Sequence, residues 1–278
     1  MKKAPISRRL LDIAIDQLAA SKSLDPVRLR RFIGNVIVAQ LLPAGVVKGG
    51  SSLKLRFGNM ATRYTKDLDA ARALGLDAYI GELEDKLQAG WGGFTGHAVE
   101  RKPANVKDLD PQYIMKPYDV KLDYNGKPWM TVPLEIGHNE IGDADEPEAA
   151  LSEDVPPLFE SLGLPIPTEV YLMPLHFQVA QKLHAVSSPN NNRARDLVDL
   201  QLIVNNGDLD MKKTAATCRR LFAYRQKHPW PPTIVKGEDW DDLYLAAKED
   251  LAVLPSADEA VTWANALIEG IAAEPLKE

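Results

Sequence analysis

Between residues 48 and 69 the chain carries Lys48-Gly49-Gly50-Ser51-Ser52-Leu53 and then Arg63-Tyr64-Thr65-Lys66-Asp67-Leu68-Asp69. No other stretch restricts the fold as tightly. Val46-Val47 just ahead reads as a short apolar strand. Gly49-Gly50 lets the backbone turn and approach a ligand with no Cβ in the way. A helix beginning near Ser51 would point its free N–H groups and positive dipole end at an anion, most naturally a triphosphate. In a strand, Asp67 and Asp69 fall on one face while Leu68 turns to the core. Two such carboxylates can hold a pair of Mg²⁺ ions that bridge attacking and leaving oxygens. The plainer readings are a simple turn and a solvated strand edge; the two halves together, in this order, point to a site.

Around this block the pattern divides the chain. Residues 6 to 21 place Leu10, Ile13, Ala14, Leu18 and Ala19 at helical spacing. Asp25-Pro26 predicts an N-cap followed by proline at the first helical position, with the helix ending before Pro43. Asp67 to Ala71, Gly93 to Arg101, Tyr118 to Tyr124 and Trp129 to Gly137 read as strands. Asn125-Gly126 between the last two is a strong hairpin signal. Leu76 to Leu87 reads as a helix closed by Gly90. Asn139 to Asp154 is an acidic loop by composition, and Leu164-Pro165-Ile166-Pro167 a rigid linker. From Pro174 onward the pattern is helical over His176–Val186, Arg193–Val204, Met211–Arg225 and Ser256–Ala272, with Pro229-Trp230-Pro231-Pro232 as a break. The expected class is α+β: a mixed sheet with helices over residues 1–165, then a helical half over 166–278.

Two further places carry chemistry. Glu135 stands between apolar neighbours in its strand, where a carboxylate is costly unless it meets a cation. It is the candidate for a third metal carboxylate beside Asp67 and Asp69; Asp123 on the partner strand competes, and an edge position facing solvent is the plain alternative. Lys182 sits in the otherwise apolar stretch Val179–Ala185. Asp196 and Asp199 are three apart and share a helix face. Two antiparallel helices joined by the Pro-Asn-rich turn would bring Lys182 to Asp196. A lysine fixed by an aspartate is a compact point charge suited to a triphosphate, or an ordinary structural ion pair.

The remaining chain excludes several classes. No apolar run is long enough to span a bilayer, and the basic Met1-Lys2-Lys3 start leads into an amphipathic stretch rather than a secretory core. Cys218 is the single cysteine, so no internal disulfide forms and a cytoplasmic location is expected. Five histidines and one cysteine make no zinc pattern. The five tryptophans are scattered and read as packing rather than as a base-stacking platform. The formal net charge of −6 counts against holding nucleic acid by bulk electrostatics. A local basic surface remains open, from Lys2-Lys3 with Arg8-Arg9, from Arg28, Arg30 and Arg31, or from Lys212-Lys213, Arg219-Arg220, Arg225 and Lys227.

The blocks Lys48-Gly-Gly-Ser-Ser-Leu53, Arg63-x-Thr-x-Asp-Leu-Asp69 and Lys182-Leu-x-Ala followed by Arg195-Asp-Leu-x-Asp-Leu200 resemble the AbiEii/AbiGii nucleotidyltransferase toxins, which include the mycobacterial MenT group. The likeness runs from about Lys48 to Leu200. It implies a polymerase-β-like catalytic half with a helical second half, in a toxin of a toxin–antitoxin pair, with a cognate antitoxin as a partner. On the matching positions, Lys48, Gly49, Gly50, Ser51, Ser52, Arg63, Thr65 and Lys182 would bind the nucleotide. Asp67 and Asp69 would hold Mg²⁺, and Lys182 with Asp196 would be the functional pair of the second half. The implied activity is Mg²⁺-dependent transfer of a nucleotide from an NTP to RNA, the 3′ end of tRNA foremost, which stops translation. A protein or small-molecule acceptor is the alternative within the same chemistry. A non-catalytic nucleotide- or partner-binding protein is the alternative outside it.

Overall fold

The computed structural model describes residues 3–102 and 115–275, so Lys2 of the basic N-terminus lies outside the described residues. By its contacts the chain forms two units, one of Met1–Asn59 with Tyr64–Leu172, the other of Met60–Arg63 with Met173–Glu278. The division falls at Leu172/Met173 rather than near residue 165, because residues 170–172 still pair with the sheet.

In chain order the first unit contains α1 (Arg8–Ser21), α2 (Pro26–Gln40), β1 (Gly45–Lys48), α3 (Gly49–Phe57), β2 (Leu68–Arg72) and α4 (Leu76–Ala89). It continues with β3 (Phe94–Glu100), β4 (Lys116–Tyr124), β5 (Lys127–Gly137), β6 (Glu148–Ala150), α5 (Val155–Leu162) and β7 (Val170–Leu172). The strands form one seven-stranded sheet in the order β3-β4-β5-β2-β1-β7-β6. β2 lies parallel to β5, β1 parallel to β7, and the other neighbours are antiparallel. It is the mixed sheet the pattern predicts.

Local chemistry sets the element ends. The Asp25 carboxylate accepts the Arg28 N–H at 2.7 Å and Pro26 takes the first helical position, a cap worth about 1 kcal/mol. Asn125 and Gly126 both take positive φ, 49° and 70°, the two left-handed residues that a tight hairpin turn between twisted strands requires. α1 forms where expected, but the row it buries is Leu11, Ile15 and Ala19, leaving Leu10 and Ile13 exposed. A four-residue spacing makes one continuous stripe, and that stripe packs on α2 and α5.

Three elements of the first unit depart from the pattern. The acidic stretch Asn139–Asp154 is not all loop, since β6 lies within it. β7 and α5 also carry no readable signal. Strands of three residues show no alternation, and α5 begins Val155-Pro156-Pro157, where proline fits only the first helical turn.

The sheet turns two faces. Leu68 and Ala70 of β2 and Leu134 and Ile136 of β5 are fully or almost fully buried and join Ile33, Val36, Val47 and Phe159 in the core. Asp69 and Glu135 alternate to the other face.

The second unit is helical: α6 (Leu175–Val186), α7 (Ala194–Asn206), α8 (Met211–Arg225), α9 (Trp240–Lys248) and α10 (Ala257–Ala272). α9 has no counterpart in the expected elements. α6 packs on α7 and α8, and α10 packs on α7, α8 and α9. Cys218 is fully buried, and burial pushes its thiol up to about 12, as a small hydrophobe in the core rather than a reactive group. No helix among the described residues is long and apolar enough to cross a membrane.

Candidate active site

In the first unit the Gly-Gly turn and the carboxylates meet. β1 ends at Lys48, whose ladder partner on β2 is Asp69. The chain turns at once into α3, with Gly49 at φ +64°. A Cβ on Gly49 would stand 2.4 Å from Asp69 Oδ2, so only glycine lets this turn lie against the carboxylate. The N-terminus of α3 has no side-chain cap and no acidic residue in its first turn. Its positive dipole end favours an anion.

The two serines behave differently from simple phosphate donors. The Ser51 hydroxyl donates to the Asp67 carbonyl, tying the turn to the strand that bears the carboxylates. Ser52 is fully buried and Gly50 is buried as well. What this turn can offer an anion is therefore mainly backbone N–H. Lys48 is half-buried, and its ammonium lies close to Gly137, where a Cβ would stand 2.9 Å from Nζ.

Asp69 lies on β2 and Asp67 immediately before it, exposed at the strand entrance. β2 and β5 pair in parallel with Asp69 opposite Glu135. Neighbouring residues in a sheet put their side chains about 5 Å apart on one face. Asp123 pairs with Thr95 and Pro128 at the hairpin end. From Pro128 to Glu135 the strand runs roughly 23 Å at ~3.3 Å per residue, which leaves Asp123 remote. The structure thus puts Glu135, not Asp123, beside Asp69. Among the described residues no three His, Cys, Asp or Glu side chains converge into a preformed metal cage. Mg²⁺ does not need one: it keeps several waters and is held through one or two carboxylates together with substrate phosphates. Hard oxygen donors on an accessible face beside an anion-ready helix end fit that ion.

In the second unit α6 and α7 form the antiparallel pair and bring together four charged groups. Lys182 Nζ donates to Asp196 Oδ1 at 3.0 Å and to Asp199 Oδ2 at 2.6 Å. Arg63 grips Asp199 with both ends of its fork, Nε to Oδ1 and Nη2 to Oδ2, each at 2.8 Å. Two cations balance two carboxylates out of water. Burial alone would drive the Lys182 ammonium down, but Asp199 and Asp196 outweigh burial and the neighbouring Arg63, and hold it above its usual value. Burial likewise opposes the Asp199 charge, yet Lys182 and Arg63 pull that carboxyl down to about 2. Spacing brings Lys182 to Asp196 as expected. It does not reveal that Asp199 is the hub, or that Arg63 is its partner. The one sign in the sequence is that Asp199 lies on the same helix face as Asp196. Thr65 is half-buried between Arg63 and Asp67.

The basic cluster of Arg28, Arg30 and Arg31 is largely engaged inside its own unit. Arg30 pairs with Asp12 and Asp16 at 3.2 and 2.8 Å. Arg31 donates to the Thr131 carbonyl at 2.6 Å, and Arg28 lies over the Tyr64 ring at 4.9 Å.

A sheet face with paired carboxylates, abutted by a glycine turn into a helix without a side-chain cap, has the chemistry to hold a metal-bound nucleotide. Comparison with known proteins agrees. The family described as "Nucleotidyl transferase AbiEii toxin, Type IV TA system" matches residues 31–266. The chain belongs to the AbiEii family of nucleotidyltransferase toxins of type IV toxin–antitoxin systems. No curated protein matches it in sequence. Among solved structures, it is similar to MenT4, a nucleotidyltransferase toxin of Mycobacterium tuberculosis H37Rv, at 14% identity and a TM-score of 0.54, over 97% of this chain and 99% of that one. At that identity the likeness is one of fold. JHP933 from Helicobacter pylori also matches, at 16% identity and a TM-score of 0.46, over 87% of this chain and 90% of that one.

Proposed function

We propose that this toxin transfers a nucleoside monophosphate from an NTP to the 3′-hydroxyl of an RNA, the acceptor end of tRNA, and so blocks translation in the cytoplasm. The observation that carries this reading is the in-register pairing of Asp69 with Glu135 beside the Gly49 turn. The hydroxyl oxygen attacks the α-phosphorus in line as the bond to pyrophosphate breaks. Asp67, Asp69 and Glu135 would hold Mg²⁺, which when bound lowers the pKa of the attacking hydroxyl and neutralises charge on the phosphate oxygens. The N-terminal end of α3, with its positive dipole, and the Lys48 ammonium bind and orient the triphosphate. Gly49 keeps that turn close to Asp69, and Ser51 keeps it fixed to the Asp67 backbone. Within the second unit, Lys182 commits two of its three donors to Asp196 and Asp199, and the third suits an anion. Asp196 holds that ammonium in place. A cognate antitoxin opposes the activity.

The test is incubation of the full chain with each labelled NTP in turn, Mg²⁺ and total RNA, beside the Asp69→Asn variant and a chelated control. One NTP should label a small RNA species, and both controls should label none. Label found on protein with RNA blank would shift the acceptor to a protein side chain.

A further inference from the structure

The second unit carries a groove that the transfer chemistry above does not use. It encloses about 660 Å³ beside the C-terminal end of α8. Its walls include Arg219 and Phe222 of α8, Lys227, His228 and Trp230 of the segment that follows, and Ala272 at the end of α10. Among the described residues no carboxylate lines it, in a chain of net charge −6. Arg219 is fixed by bonds to the Ala272 and Glu274 carbonyls, both at 3.0 Å. Lys227 is exposed.

The rings are braced as well. Trp230 meets Phe222 edge to face at 5.1 Å, and His228 meets Phe222 likewise at 5.1 Å. Trp230 is only half-buried. Two polar atoms of this wall, Trp230 Nε1 and His228 Nδ1, are buried with no hydrogen-bond partner among the described residues. The Ser187 hydroxyl donates to the Leu183 carbonyl at 2.7 Å and so accepts from His228 Nε2, also at 2.7 Å. His228 Nδ1 is then a bare acceptor, and Trp230 Nε1–H an unused donor. Unsatisfied groups of this kind are rare enough to need a cause. A fixed cation, an exposed cation and a braced, half-buried ring match a ligand that is flat and anionic.

We propose that this groove binds an unpaired nucleotide of single-stranded RNA, with the base on Trp230 and the phosphate at Lys227 and Arg219. Aromatic stacking with a cationic wall is how proteins hold single strands without reading their sequence. The assignment rests on RNA being the acceptor, and it gives an acidic chain the local basic surface that the role requires.

The test uses the full chain with a single-stranded oligoribonucleotide containing 5-iodouridine. Photocrosslinks, mapped by mass spectrometry, should fall on Phe222 to Pro231. Lys227→Glu and Trp230→Leu should each weaken oligonucleotide binding about tenfold, the scale of one lost stack or phosphate contact. They should raise the KM for RNA while leaving the KM for NTP unchanged. Folded variants that bind like the parent, or crosslinks confined to other segments, overturn the proposal. So does labelling of the same residues by 8-azido-ATP with no oligonucleotide binding, which would make the groove a free-nucleotide site. If the oligonucleotide crosslinks in the groove while no RNA accepts a nucleotide, the acceptor reading fails and the groove assignment stands.

Discussion

Asp69 on β2 stands directly across from Glu135 on β5, in parallel register, on the sheet face opposite the core. Two carboxylates side by side repel each other unless a cation is shared. The proposed Mg²⁺ would offset that cost, which makes the pair a sharp target.

Asp69→Asn and Glu135→Gln keep shape and remove charge. Each should lower kcat for nucleotide transfer by about 100-fold or more, the usual scale for losing a group that stabilises transition-state charge. Asp123→Asn, at the far end of the hairpin, should transfer at the parent rate. Activity assays beside far-UV circular dichroism decide it. A Glu135→Gln protein at parent rate would remove Glu135 from the site.

Gly49→Ala tests the turn. Alanine at φ +64° costs about 1 kcal/mol in backbone strain, and its Cβ would press on Asp69 Oδ2. Gly126→Ala supplies the control: φ is +70°, with nothing within 4 Å of the added Cβ. Both variants should lose a few degrees of Tm, and only Gly49→Ala should lose activity. Equal activity in the two would mean that closeness to Asp69 does not matter.

Much of this was legible because it is local. A cap, a hairpin turn and a Gly-Gly turn are decided by neighbouring residues, so Asp25, Asn125-Gly126 and Gly49 fall where their chemistry demands. The Asp69–Glu135 pairing is not local. It depends on a parallel register between strands with α4, β3 and β4 between them in sequence, and Asp123 satisfies the same alternation rule. Arg63 and Asp199 are 136 residues apart, and no spacing joins them. β6 and β7 are three residues long, too short for a period to show. The groove residues come from α8, the segment after it and the end of α10, so their tryptophan looks isolated in the sequence.

Cys218 offers a clean probe of opening in the second unit. It is fully buried with its thiol held near 12, so the thiolate that reacts with disulfide reagents is scarce and shielded. The native chain should react far more slowly than a free thiol, and urea should raise the rate in parallel with unfolding. Rapid labelling in native buffer would contradict this burial.

The buried quartet ties the stability of the second unit to pH. Asp199 titrates below its usual 3.8, near 2. Its stabilising contribution is therefore complete above about pH 4 and lost as pH falls towards 2. Lys182 is held above its usual 10.5, so its contribution is complete below that pH and lost as pH rises past it. Lys182→Met removes a cation from between two buried carboxylates. Breaking such a pair costs about 3–5 kcal/mol, and Asp199 would keep only Arg63. The variant should unfold at lower urea at pH 7, and its stability should fall less steeply below pH 4 than the parent's, because without Lys182 the Asp199 carboxyl no longer titrates so far below its unfolded value. Lys182→Arg should restore part of the stability, since charge returns, but less of the transfer activity, because a planar fork does not reproduce a point charge. Urea titrations from pH 3 to pH 8, with transfer assays on the same samples, separate the two roles. If Lys182→Met follows the parent's acid limb, the ion quartet does not govern the pH dependence of stability.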